Sequence, residues 1–413
     1  MYSRSTRTVL GAALSVAMLV FVKAGPPAAA DGAWTLAVEP LPSPAGADSS
    51  APQLTVSGDR AVLSWMERAG RRATLKLVER TSSGWSEPRS VTSGDHLIVN
   101  AADVPSVRAM ADGTLAAHWT EENGPDPEAS TLRLSWSKDG GRTWSPPTSP
   151  YRDRTQSQHG FASLFQTPGG GLGVVWLDGR AIETATSPQA ENMSLRAAAY
   201  GRDGKQLSEV AIDRRVCECC STAVATSMEG PIVAFRNRSD SEVRDIYVSR
   251  LAAGRWSAPV AVHNDGWKID ACPVNGPAIS ARNRLVIVAW FTAEKDAGRA
   301  FMAFSRDAGR TFGAPVRVDD ASALGHVGVE LLKDGSAAVS WIEFVNERSQ
   351  YRVRRIEQGG ARSAPVTVAG TGESRVAGAP RIVQDRDELL FAWTETTNGS
   401  SRVRTARASL VTR

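Results

Sequence analysis

The strongest constraint on this chain is an internal repeat. An apolar strand ending in an aromatic residue, with a polar or acidic residue two places on, occurs seven times: Ala61-Val-Leu-Ser-Trp65-Met-Glu67, Leu115-Ala-Ala-His-Trp119-Thr-Glu121, Leu172-Gly-Val-Val-Trp176-Leu-Asp178, Pro231-Ile-Val-Ala-Phe235-Arg-Asn237, Val286-Ile-Val-Ala-Trp290-Phe-Thr292, Ala337-Ala-Val-Ser-Trp341-Ile-Glu343 and Leu389-Leu-Phe-Ala-Trp393-Thr-Glu395. Successive aromatics lie 54, 57, 59, 55, 51 and 52 residues apart. A period this regular marks a repeat architecture, in which each unit buries its apolar faces only against its neighbours. Its length suits one four-stranded propeller blade with moderate loops.

The rest of each unit fits that reading. About ten residues before each aromatic lies a shorter apolar stretch, as in Pro52–Val56, Val104–Val107, Cys272–Ile279 and Ala379–Val383, which reads as the innermost strand. A third strand is expected about fifteen to twenty residues after the aromatic, followed by a turn and a fourth strand such as Gly84–Val91 or Gly254–Val262. The last unit ends at Arg413 after three strands, while Ala33–Pro40 near the other end reads as a stray fourth strand that completes it. Such closure leaves no free sheet edge. The expected fold class is all-β, a propeller of four-stranded antiparallel blades closed by the N-terminal strand. Seven blades are preferred, and six is the alternative if one copy serves as an elaborated loop.

Residues 1–30 run from a basic start with Arg4 and Arg7 through an apolar stretch, Val9–Val22, to Pro26, Pro27 and Ala28-Ala29-Ala30. This order reads as a secretory signal peptide cleaved after Ala30, leaving 31–413 as a single exported propeller domain, periplasmic or secreted. No later segment is long and apolar enough for a spanning helix, so no membrane insertion is expected after cleavage. The net charge of +4 falls to +1 once Arg4, Arg7 and Lys23 are set aside. A polyanion footprint is thus missing, and no nucleic-acid partner is expected.

Two of the turns between third and fourth strands read Ser137-Lys-Asp139-Gly-Gly141-Arg-Thr143-Trp144 and Ser305-Arg-Asp307-Ala-Gly309-Arg-Thr311-Phe312, at the same phase of the repeat. They resemble the Asp box (BNR repeat) of the sialidase-like propeller superfamily. The resemblance spans residues 34–413 as a repeat pattern and implies that each Asp box is a structural turn, with the Asp bonding local backbone and the aromatic packed between sheets. The full sialidase catalytic signature does not carry over. Ala51-Pro-Gln-Leu stands where an Arg-Ile-Pro motif is expected, and none of Tyr151, Tyr200, Tyr247 and Tyr351 has a recognisable nucleophile context.

In a propeller the first strands begin and the second strands end on one face, around the mouth of the central channel. Before the first strands stand His159, the run Cys217-Glu218-Cys219-Cys220, Cys272 and His326. After the aromatics stand Glu67, Glu121, Asp178, Arg180, Arg236, Arg238, Glu343 and Glu395. All four cysteines therefore fall at one phase of the repeat. Three readings of them stand open: two disulfides, one of which ties Cys272 to the clustered three; a soft metal site of Cys217, Cys219, Cys220 and Cys272 with His159 or His326, suited to copper(I) or zinc; or free reactive thiols. Adjacent Cys219 and Cys220, and Cys217 two residues from Cys219, suit mutual disulfides poorly.

The carboxylates also have two readings. They can accept hydrogen bonds within the scaffold or pair with arginines. Alternatively, Glu67, Glu121 and Asp178 hold the acid and base of an exo-acting glycoside hydrolase or lyase, with Arg180, Arg236 and Arg238 clamping an acidic substrate. The two functional expectations are thus a binding propeller with a Cys/His centre for a metal ion or small ligand, and an enzyme on acidic glycans. A monomer is expected in either case.

Overall fold

The computed structural model describes residues 34–183, 185–186, 192–371 and 378–410. The proposed signal peptide and Ala33 lie outside them. Among the described residues the strands form seven antiparallel sheets, one per repeat, and strand order follows the chain in every sheet but the last, whose outer strand comes from the start of the chain. Blade one shows the pattern: Ser49–Ser57 innermost, then Arg60–Ala69, Arg72–Glu79 and Arg89–Gly94 outermost. No helix among the described residues is long and apolar enough to cross a membrane.

The seven-blade expectation holds, and so does closure. Val38–Leu41 pairs antiparallel with Ser400–Ser409, from Val38 opposite Ala408 to Leu41 opposite Thr405, as the fourth strand of the sheet built by Arg381–Asp385 and Glu388–Thr397. The last blade is thereby sealed by chain from the opposite end of the sequence.

Seven apolar clusters fill the seven blade-to-blade spaces. Each repeat aromatic packs against the preceding blade, as Trp119 does with Leu75 and Leu77, Trp176 with Leu132 and Leu134, and Trp65 with Leu390 and Val403 across the closure. The second strands are covered on both sides, which is why Ala61–Met66 has no exposed residue and reads as a continuous apolar run rather than an alternation. Truncating such a buried Trp costs about 3–5 kcal/mol.

Two details correct the sequence reading. Third strands start sooner after the aromatic than expected, at Arg72, Arg348 and Ser400, because tight hairpins at Gly70, Asn346-Glu347 and Asn398-Gly399 turn the chain through left-handed conformations. Blade two has three strands, Ser106–Ala109, Leu115–Glu122 and Ser130–Ser137, with one bridge from Leu134 to Thr148 where a fourth would run. Pro146, Pro147 and Pro150 flank that bridge and supply no N–H to a ladder. Pro259 likewise divides the outer edge of blade four into Arg255–Trp256 and Val260–Ala261.

Both Asp boxes are the structural turns the resemblance implied. Asp139 Oδ1 accepts from Arg142 N at 3.1 Å and Thr143 N at 2.9 Å, and Ser137 Oγ accepts from Gly141 N at 2.7 Å. Asp307 repeats this with Arg310 N and Thr311 N, both at 3.0 Å. These donors outweigh the effect of burial and hold Asp307 down to about 2.

Candidate functional site

Strand registers put Glu67, His159, Asp178 and Glu343 at one face. Ser49 lies opposite Glu67, His159 opposite Asp178 and Ala323 opposite Glu343, so first-strand starts meet second-strand ends. The Asp boxes sit at the other end, since Ser137 pairs with Leu115 at the start of its neighbouring strand.

The rim of the mouth is stitched from blade to blade. Phe161 and His326 hold left-handed backbone (φ 55° and 51°), each at an irregularity in the first strand of its blade. The freed amide of Phe161 donates to Asp103 Oδ1 at 2.7 Å, and that of His326 to Asn275 Oδ1 at 2.8 Å, in both cases on the preceding blade. The preceding residues are Gly160 and Gly325, where a Cβ would fall 2.2 Å from Asp103 Oδ2 and 2.1 Å from Asn275 Oδ1. Burial pushes the Asp103 carboxyl up to about 6 against the pull of the Phe161 amide.

The carboxylates after the aromatics act as clasps. Residues two apart on a strand share a face, so the Trp indole can reach the carboxylate beside it. Trp65 Nε1 donates to Glu67 at 3.1 Å, Trp119 Nε1 to Glu121 at 2.8 Å and Trp176 Nε1 to Asp178 at 2.8 Å. A cation completes each clasp: Lys76 on Glu67 at 2.7 Å, Arg133 on Glu121 at 2.8 Å, Arg180 on Asp178 at 2.7 Å. Glu343 is held by Arg352 and by the amides of Asp320 and Ala321, and Glu395 by Arg404. Burial pushes Glu67 and Asp178 up, but hydrogen bonds from Lys76 and Arg180 prevail and hold both below their ordinary values.

The three arginines expected to form a clamp are held apart on separate protein partners. Arg180 pairs with Asp178, Asp153 and Glu209. Arg236 is buried, lies 5.0 Å over the Trp267 ring, and donates to the carbonyls of Asn275, Arg244 and Phe291. It thereby rivets blade four to blade five. Arg238 binds Glu242 and Glu218.

The four cysteines do come together. Cys219 and Cys272 form a disulfide between the loops before blades four and five, with Cα atoms 5.9 Å apart, while Cys217 and Cys220 are buried free thiols. Cys217 Sγ lies 3.0 Å from Cys220 Sγ and 4.0 Å from Cys219 Sγ. Glu218 anchors this loop through Arg238 and Arg244, and Arg244 also donates to Cys217 Sγ at 3.4 Å. The Cys220 hydrogen bond and the charges of Arg236 and Arg244 draw the Cys217 thiol down, whereas burial pushes Cys220 up. Cys217 is thus the more acidic thiol of the pair.

Of the two histidines, His159 joins a carboxylate cluster and His326 lines the mouth beside Cys219. His159 is fully buried and stacked on Tyr151, with Nδ1 facing the carbonyls of Ser130 and Ser157 at 3.2 and 3.1 Å. Its Nε2 lies 3.5 Å from Asp153 and 3.7 Å from Asp178, so it belongs to an Asp153–His159–Asp178 cluster closed by Arg180. His326 lines the narrow mouth together with Cys219, Ser221 and Arg381.

Sequence reasoning missed Asp153 and Arg244, which lie in loops that carry no repeat signal. It also missed Arg108, Glu330 and Arg381, although a charged residue within an apolar inner strand was a visible break of pattern.

By sequence, the chain matches no protein-family model and no curated protein. By structure it is similar to the polysaccharide lyase Uly1, at a TM-score of 0.55 and 11% identity over 88% of this chain and 90% of that one. It is also similar to the phage phi92 endosialidase, at a TM-score of 0.52 and 9% identity over 92% of this chain and 70% of that one. The class defined is therefore a seven-bladed β-propeller, similar in fold to these two proteins.

Proposed function

We propose that this is an exported binding propeller whose working centre is the sulfur cluster, a site for a soft metal ion, copper(I) or zinc, formed by Cys217, Cys219, Cys220 and Cys272 when the Cys219–Cys272 bond is reduced. The observation that carries the reading is the gathering of all four sulfurs from two loops, with separations of 3.0 and 4.0 Å beside the bonded pair. A tetrahedral thiolate site with metal–sulfur bonds of about 2.3 Å sets its sulfurs about 3.8 Å apart, a spacing these values bracket. Arg236 and Arg244 favour deprotonated sulfur, the form that binds metal. His159 and His326 are not part of the proposed ligand set.

The acidic-glycan enzyme is the weaker reading. A glycoside-cleaving acid must stay protonated near neutral pH, whereas Glu67 and Asp178 are both held below their ordinary values by their clasps. The test is anaerobic titration of reduced protein with copper(I) or Zn²⁺. Uptake of about one equivalent with proton release, weakened by Cys272→Ser, supports the reading; no uptake by fully reduced protein overturns it. Export is tested by the N-terminus of protein recovered outside the cytoplasm, which should begin at Asp31.

A further inference from the structure

The sulfur cluster holds two oxidation levels side by side. Cys219 and Cys272 are bonded to each other, while Cys217 and Cys220 are free. The run Cys217-Glu218-Cys219-Cys220 is a Cys-x-x-Cys dithiol with one half of the bridge set inside it. Dithiols at this spacing serve as exchange centres in disulfide oxidoreductases.

Burial and oxidation level run in opposite directions. Cys217 and Cys220 are buried, Cys219 is half-buried, and Cys272 is exposed along with its neighbours Asp270 and Ala271. The bonded pair thus carries the exposed cysteine, and the dithiol lies beneath it. Cys217 is fixed in place, since its amide donates to the Arg236 carbonyl at 3.0 Å and Glu218 ties the same loop to Arg238 and Arg244. Its Sγ lies 4.0 Å from Cys219 Sγ and 3.0 Å from Cys220 Sγ, within reach of both. The Arg244 guanidinium, 3.4 Å from Cys217 Sγ, supports negative charge there, and thiolate is the form that attacks a disulfide.

We propose that the four cysteines form an internal thiol–disulfide exchange centre, in which Cys217 attacks Cys219 and delivers an exposed, modifiable thiol at Cys272. The Cys217–Cys219 bond forms, the Cys219–Cys272 bond breaks, and Cys272 leaves as a thiolate that takes up a proton, balancing the one Cys217 gave up. A bridge between residues two apart is poorly placed to persist, so Cys220, having lost its proton, attacks Cys217 Sγ and expels Cys219. The net change moves the bridge from Cys219–Cys272 to Cys217–Cys220, passes two electrons and two protons the other way, and needs no outside oxidant. Cys219–Cys272 stays the resting bridge, and exchange is drawn forward when Cys272 is captured. This activity goes beyond metal uptake and does not rest on it.

The test is labelling of the intact, folded, unreduced protein with N-ethylmaleimide, in the presence of EDTA and a copper(I) chelator, followed by peptide mapping without reductant. Label should accumulate on Cys272 at a rate independent of protein concentration, and the labelled molecules should carry a Cys217–Cys220 bridge. Cys217→Ala should slow that labelling at least about tenfold, because the attacking sulfur is gone. Cys220→Ala should leave Cys272 reactive and stop the bridge at Cys217–Cys219. If Cys217→Ala does not fold, the bridge found in labelled wild-type protein decides. Cys272 staying unlabelled, labelling that accelerates with protein concentration, labelling indifferent to Cys217→Ala, or labelled wild type without a Cys217–Cys220 bridge would overturn the proposal. Metal uptake by the fully reduced protein is a separate readout, so either idea can fail while the other stands.

Discussion

Blades one to three and blades four to five both bring reactive side chains to the channel mouth, the first from second-strand ends and the second from the loops before the first strands, and hold them in opposite ways. Where the first three blades place a carboxylate two residues after the aromatic, it is clasped by an indole and a cation. Where the next two bring in cysteines, two sulfurs are bonded to each other and two remain buried thiols. Position in the repeat therefore fixes which side chains meet at the mouth, and the chemistry of their immediate partners decides whether they brace the scaffold or stay reactive.

The largest expected effects fall on the bracing side. Asp178→Ala removes a buried carboxylate and leaves Arg180, His159 and Trp176 without it, so it should cost about 3–5 kcal/mol in denaturant unfolding. Loss of the closing strand Val38–Leu41 should be comparably severe, because it exposes the edge of blade seven. Cys217→Ala should shift stability by roughly 1–2 kcal/mol at most, since a small buried side chain is exchanged for a slightly smaller one, while removing a proposed metal ligand. A Cys217→Ala variant as unstable as Asp178→Ala would erase the contrast between the two regions.

Smaller effects appear in the pH dependence of stability. The depressed Glu67 and Asp178 contribute stability that is present above their unfolded values and lost as pH falls through their lower folded values, so the clasps weaken on the acid side of about pH 4. Glu330 behaves oppositely. Its raised value makes the folded state bind the extra proton, so stability falls as pH rises from its unfolded value near 4.5 towards 8. Chemical denaturation across this range should show Glu330→Gln gaining on the wild type with rising pH. The smallest effect is expected for Lys76→Met, whose part-exposed pair with Glu67 contributes about 1 kcal/mol or less.

Most of the fold was legible because a propeller writes its architecture as a period. Seven aromatics, two in-phase Asp boxes and a stray strand at Ala33–Pro40 led to the seven blades and their closure. The shortened edge of blade two was legible in Pro146, Pro147 and Pro150, though only once their missing N–H groups were set against a ladder. The face shared by the candidate residues followed from strand direction. Their pairings did not, since Arg244 and Asp153 come from loops whose path no periodicity encodes. The Trp65–Glu67 clasp was more accessible, because a two-residue step on a strand already puts both side chains on one side. The disulfide partner of Cys272 stayed open because Cys217, Cys219 and Cys220 lie too close in sequence for spacing to choose among them.

The most direct test of the sulfur centre is a thiol and disulfide map of the native protein, alkylated under denaturation without reductant and read by mass spectrometry, followed by metal titration before and after reduction. The expected result is two alkylated thiols, Cys217 and Cys220, one Cys219–Cys272 bridge, and tight uptake of one copper(I) or Zn²⁺ only once that bridge is reduced. Two stable disulfides with no free thiol, and no metal uptake by the fully reduced protein, would contradict it.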